Sequence, residues 1–169
     1  SIFNHGEDAG RYLIISMTIH LSHDTLTPPF YTSLQNYVEE HQITDFSPKS
    51  IREMVTEIRW SKLPKPEEMA SSGSFFKNVY LDDAEADRLR GMNVPVWEGN
   101  KVPSGWLIDH AGLKGMVFHG MRVSEKAALI LINESAQSYA HLKQAREEIV
   151  SIIEKKYGLT LQQEPVELE

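Results

Sequence analysis

The sequence predicts an α+β fold with a mostly antiparallel sheet and flanking helices. Helical and strand patterns are interspersed without the regular strand-helix repeat of a parallel sheet. Two short apolar runs, "MVFHGMRVS" and "AALILIN", read as strands, whereas "SYAHLKQAREEIVSIIEKKYG" carries Leu142, Ala145, Ile149, Ile152 and Ile153 on one helical face. With 169 residues, 41% of them hydrophobic, the chain is long enough for one well-buried core.

In chain order, "RYLIISMTIHL" (11–21) mixes alternation with β-branched residues and predicts a strand, and the turn-rich "SHDTLTPP" ends it. "YTSLQNYVEEH" predicts a short helix. "SPKSIREMVTEIRWSK" predicts a longer one: Ser47 is placed to cap it, Pro48 suits its first position, and Ile51, Met54, Val55 and Ile58 mark its apolar face. "LPKPEEMASSG" reads as a loop delivering the chain to "SFFKN". "DDAEADRLRG" predicts a helix with acidic residues in its first turn and Gly91 at its end, and "VPSGWLIDHAG" another, capped by Ser104 and closed by Gly112. After the long C-terminal helix, Gly158 marks a stop, and "LTLQQ" predicts a last strand before an acidic tail.

A net charge of -7 and a pI near 5.5 give no basic field for a phosphate backbone, so no nucleic-acid partner is expected. No apolar run approaches the roughly 20 residues needed to cross a bilayer, so no membrane partner is expected either. The absence of cysteine excludes disulfides, thiolate metal sites and a cysteine nucleophile. The seven histidines show no close metal-ligand spacing, and no metal is expected. The chain starts "SIFNHGEDAGRYLI", without methionine or the pattern of a secretory signal, and is expected to be a piece of a longer protein.

The sharpest local motif is Ser-x-x-Lys in "SSGSFFKN", Ser74 and Lys77, which in one class of acyl-transfer enzymes is a nucleophile and its base. The Ser-Asp-Asn and Lys-Thr-Gly elements that accompany it there are absent, so the residues alone leave Ser74 as nucleophile, proton donor or loop serine. No glycine-rich phosphate loop occurs. Lys62, before Pro64 at a helix-to-loop junction, reads as a diphosphate ligand or as a solvated lysine at a helix C-terminus. Glu164, after an apolar run, and Glu134, after "LILIN", read as proton donors held partly out of water or as surface charges.

The hexapeptide "GSFFKN", with "KLP" upstream and "GWLID" and "GLKG" downstream in matching order and spacing, resembles the UDP-N-acetylenolpyruvoylglucosamine reductase (MurB) family over essentially the whole chain. "SIFN" resembles the point where that family's flavin-binding part hands over to the substrate-binding domain. The resemblance implies a remnant strand of the FAD-binding domain over 1–22 and a MurB-like substrate-binding domain over 23–169. It implies a cytoplasmic flavoenzyme of peptidoglycan synthesis that uses NADPH to reduce FAD and then reduces UDP-N-acetylglucosamine enolpyruvate to UDP-N-acetylmuramate.

By the same resemblance, Ser74 matches the family's proton-donating serine, and Glu164 matches the glutamate that, with an arginine, supports the enolic intermediate. Tyr31, Lys62, Asn78 and Glu134 match diphosphate and sugar contacts, and Arg59 matches a flavin-contacting position. The partnering arginine belongs to a Tyr-Arg-Asp stretch that in the family precedes "SIF". With the flavin-binding elements also outside this sequence, FAD and NADPH are expected mainly from an N-terminal FAD-binding domain as partner, and this chain alone is expected to be inactive and monomeric. Val79 replaces a common proline, Phe118 and His119 replace a small pair after "GLKG", and "LQQEP" replaces the commoner "LEPEV". The alternative reading is a non-catalytic UDP-sugar binding module derived from the enzyme.

Overall fold

The computed structural model describes residues 12–167 except 23, 64 and 66. The opening "SIFN", Arg11, Pro64 and the last two residues of the acidic tail therefore lie outside the described residues. The chain forms two compact units, Ser1–Glu53 and Met54–Glu169.

In the first unit, α1 (Thr32–Glu40) buries Leu34 and Val38, four residues apart and so on one face. Tyr31 takes the extended N-cap conformation, and its carbonyl accepts the N–H groups of Leu34 and Gln35. Phe30 and Phe46 meet edge-to-face at 5.3 Å. The strand expected over 11–21 is not formed: residues 12–21 have no regular secondary structure, and Leu13, Ile15 and Leu21 are exposed. β-Branched alternation supplies a surface for a strand, but a strand needs a partner ladder, and none pairs with this run among the described residues.

Helix α2 (Pro48–Lys62) starts as expected, with the Ser47 hydroxyl accepting from the Ser50 N–H and the Ser47 carbonyl from Ile51. Met54 is buried, while Ile51, Val55 and Ile58 are half-buried.

The second unit is built on an antiparallel sheet of four strands in the order β1-β6-β5-β4, namely β1 (Ala70–Ser74), β4 (Val117–Phe118), β5 (Met121–Val123) and β6 (Ile130–Asn133). A second pair joins β2 (Val79–Tyr80) to β3 (Lys101–Val102). Three helices complete it: α3 (Asp83–Gly91), α4 (Ser104–His110) and α5 (Tyr139–Tyr157). Every strand pair is antiparallel, as the fold class requires.

"MVFHGMRVS" folds as a hairpin, β4 and β5, turned by His119 and Gly120 with φ of 50° and 83°; paired positive φ values are the two-residue hairpin turn that matches strand twist. Asp82 caps α3 by accepting the Glu85 N–H at 2.8 Å, and the α5 cap is Ser138, with Gly158 left-handed at its end.

Three local expectations are corrected. "ASSG" is not loop but part of β1: small residues have weak strand preference, yet β6 offers a full ladder edge, and the tertiary pairing wins. "LTLQQ" forms only a single bridge, Phe76 to Gln163, because the facing segment is short and Glu164-Pro165 turns the chain away. Ser104 does not cap α4; it is the helix's first residue, and the Asn78 side chain does the capping.

The core lies between the sheet and α3, α4 and α5. Leu89, Leu107, Ile108, Leu131, Ile149 and Ile153 are fully buried there, each contributing about 1.5–3 kcal/mol by transfer from water. Phe118 joins this core. Val79 sits opposite Val102 in the two-stranded ladder.

Candidate substrate-binding face

Period-two alternation divides the residues of the four-stranded sheet between its two faces. Met121, Val123 and Leu131 point into the core beneath α5, so Arg122 and Ile132 point the other way. Glu134, two residues beyond Ile132, lies on that same outer face and diagonal to Arg122. The Arg122 guanidinium grips the Glu134 carboxylate with bonds of 2.6, 2.8 and 3.1 Å and donates to the Gly115 carbonyl at 2.7 Å. Such a fork fixes the orientation of both charges.

Strand β1 has a bulge at this face. Ser71 pairs with Ile132 and Ser74 with Ile130, so three steps on β1 match two on β6, and Gly73 at φ +75° absorbs the extra residue. The bulge keeps Ser74 on the outer face with Ile130, Ile132 and Glu134. Ser74 is exposed. Glu134 lies four steps along the chain from Ile130, the partner of Ser74, which at strand rise is ~13 Å.

An open pocket of about 390 Å³ occupies the Glu134 end of the face. Lys62, Lys65, Arg122 and Lys126 line it with Trp60 and Glu134. The cations and the indole suit an anionic ligand that also carries a flat ring. Sequence reasoning anticipated Lys62 and Glu134 here. It missed Arg122, Lys126 and Trp60; the outward position of Arg122 between two buried neighbours, Met121 and Val123, was the available signal.

At the opposite end, the Glu164 N–H donates to the Phe75 carbonyl at 2.7 Å, and the Lys77 N–H donates to Gln162 at 2.8 Å. The sheet thus brings the backbone of Glu164 beside the residue that follows Ser74. Both Ser74 and Glu164 are exposed.

Asn78 is half-buried and partly committed to the fold. Its side-chain oxygen accepts the Ser104 N–H at 3.1 Å, and the Ser104 hydroxyl donates to the Lys77 carbonyl at 2.5 Å. Arg59 is exposed in the last turn of α2, 6.0 Å from the Trp60 ring. Tyr31, 56% exposed, belongs to the first unit as the α1 N-cap residue. Among the described residues no group of three His, Asp or Glu side chains is placed to hold a metal, and no helix is long and apolar enough to cross a membrane.

Fold and face define an α+β domain whose sheet turns one side to a core and the other to a pocket lined by cations. The C-terminal domain family of UDP-N-acetylenolpyruvoylglucosamine reductase matches residues 65–168. The chain belongs to this reductase family. It is 31% identical over 164 residues to the UDP-N-acetylenolpyruvoylglucosamine reductase of Alcanivorax borkumensis, covering 94% of this chain and 47% of that protein. The enzyme of the same name from Burkholderia orbicola is 30% identical over 168 residues, 95% of this chain and 48% of the relative. That of Pseudomonas aeruginosa is 30% identical over 165 residues, 94% and 49%. The chain spans about half the length of the curated relatives it matches.

Proposed function

We infer that this chain is the substrate-binding portion of a reductase that converts UDP-N-acetylglucosamine enolpyruvate to UDP-N-acetylmuramate in cytoplasmic peptidoglycan synthesis, acting as a monomer with an FAD-binding domain and NADPH. In this reading 23–169 bind substrate and 1–22 belong with the flavin domain, whose sheet the exposed run 12–21 would join. The reading is supported by the outer face of the sheet, with Ser74 at one end and the Lys62, Arg122 and Glu134 pocket ~13 Å along the strand at the other, and by the Glu164 backbone bonded to Phe75, the neighbour of Ser74.

The sequence holds no glycine-rich dinucleotide loop, and Arg59 is the residue here that fits a flavin contact, as an exposed cation near the face. Bound FAD would supply hydride to the β-carbon of the enolpyruvyl group. This chain's residues do the rest. Lys62 and Arg122 take the diphosphate, Glu134 and Asn78 the sugar, and Tyr31 closes on the ligand. Ser74 Oγ gives its proton to the α-carbon, whose developing charge is basic enough to take a proton from a hydroxyl, and exposed Ser74 recovers it from water. Glu164 supports the enolic charge distribution electrostatically.

Calorimetric titration with UDP-N-acetylenolpyruvoylglucosamine tests the reading. Wild-type chain is expected to bind, with Lys62→Ala and Tyr31→Ala weaker by on the order of 10-fold as charge-assisted contacts are lost. A folded chain that stays silent even with a flavin-binding portion added would remove the proposal.

A further inference from the structure

The stretch that carries Glu164 is anchored from both sides. On its N-terminal side are the Phe76–Gln163 bridge and the bonds of Gln162 and Glu164 to 75–77. On its C-terminal side stands Arg146 of α5, 20% exposed, whose guanidinium donates to both the Gln163 side chain and the Glu167 carboxylate. The Gln163 amide closes the loop by donating to the Pro165 carbonyl and to Glu167, each at 2.9 Å. The Tyr139 hydroxyl, two turns before Arg146 on the same side of α5, also bonds Glu167. Glu164 is therefore the turn residue between a sheet anchor and a helix anchor, and Pro165 restricts the backbone after it.

We propose that Arg146 is a positioning residue that holds Glu164 at its place next to Phe75 by clamping segment 163–167 onto α5. The inference rests on the reading of Glu164 as a group of the reaction. Arg146 itself touches no reacting atom in this arrangement. A Met side chain keeps its aliphatic stem against α5 while losing both bonds, and Lys keeps the charge while losing the fork.

The test joins two readouts. In the chain, amide hydrogen exchange followed by NMR is expected to accelerate at Glu164 by on the order of 10-fold in Arg146→Met, with the core amide of Val123 unchanged and partial rescue by Arg146→Lys. In the chain joined to a flavin-binding portion, Arg146→Met is expected to lower kcat by on the order of 10-fold with KM held, since a small misplacement of a catalytic group acts on turnover. Glu164→Gln is the reference. If it abolishes turnover while Arg146→Met changes neither exchange nor kcat, the clamp falls and the reading of Glu164 stands. If Glu164→Gln turns over like wild type, the reading falls and takes the positioning role with it.

Discussion

Phe75 and Glu164 share a backbone hydrogen bond, N–H of the glutamate to carbonyl of the phenylalanine at 2.7 Å, although they lie far apart in sequence. The bond fixes the Glu164 backbone against Phe75, which is buried in the core, and Ser74 is the exposed residue just before it. Ser74 does not need to hold the glutamate; the backbone does. Ser74→Ala is therefore expected to leave fold and binding intact. Turnover, assayed with a flavin-binding portion supplied, is expected to fall by on the order of 100-fold or more, the usual yield of a positioned acid. Undiminished turnover in that variant would remove Ser74 as the proton donor.

Asn78 serves the fold before it serves any ligand. Its oxygen caps α4 through the Ser104 N–H, and the buried Ser104 hydroxyl ties the same junction to Lys77. Asn78→Ala should cost about 1 kcal/mol of stability in denaturant unfolding, the worth of a lost cap. Asn78→Asp retains the acceptor and should recover most of it. Equal destabilisation by both would mean that the cap is not what the side chain contributes.

Gly120 turns the β4–β5 hairpin with φ +83°, and its carbonyl accepts the N–H groups of Glu134 and Ser135. A Cβ built there would lie 2.6 Å from the Ala136 backbone nitrogen and 2.8 Å from the Ser135 carbonyl carbon. Neither is a flexible tip that can yield. Gly120→Ala should thus cost about 2–4 kcal/mol, combining left-handed backbone strain with a backbone clash. Because Gly120 bonds Glu134, pocket binding should weaken with it. Thermal unfolding within 1–2 °C of wild type, well below the shift that energy implies, would refute the clash.

Helices were legible because their signals are local: Ser47-Pro48 at the start of α2, the acidic first turn of α3, and the apolar face of α5 with Gly158 at its end. The sheet was less so. "ASSG" becomes β1 only because β6 presents an edge, and "RYLIISMTIHL" stays without a ladder because no described strand accepts it. Neither outcome is written in the propensity of the run itself. The candidate site residues divide the same way. Lys62, Glu134 and Ser74 could be named from a motif, yet their common face depends on the register of β1 against β6 and on the Gly73 bulge. Arg122 and Arg146 lacked any motif, being identified by what they grip across the fold.

The clamp on segment 163–167 should carry its own pH signature. Among the described residues, the charged and titratable groups facing Glu167 are Arg146 and Tyr139, both from α5, with Gln163 as a neutral donor. The Tyr139 hydroxyl, then Arg146, hold the Glu167 carboxyl down from 4.5 to about 2. A depressed carboxylate contributes in full above its ordinary value and is lost as pH falls through its folded value. The same bond acts in the opposite sense on Tyr139: its hydrogen bond to the carboxylate raises the phenol above 10.0, so that contribution is full below 10.0 and is lost as pH rises through the raised value. The clamp should accordingly be complete between pH 4.5 and 10 and loosen outside both limits. NMR titration of the Glu164 amide is the measurement, expected to move at the acid end and the alkaline end and to stay flat between them. Glu167→Gln should erase the acid limb, and Tyr139→Phe the alkaline one. A wild-type amide that titrates instead near pH 4.5 would mean that Glu167 is free of both partners and that Arg146 does not hold the tail.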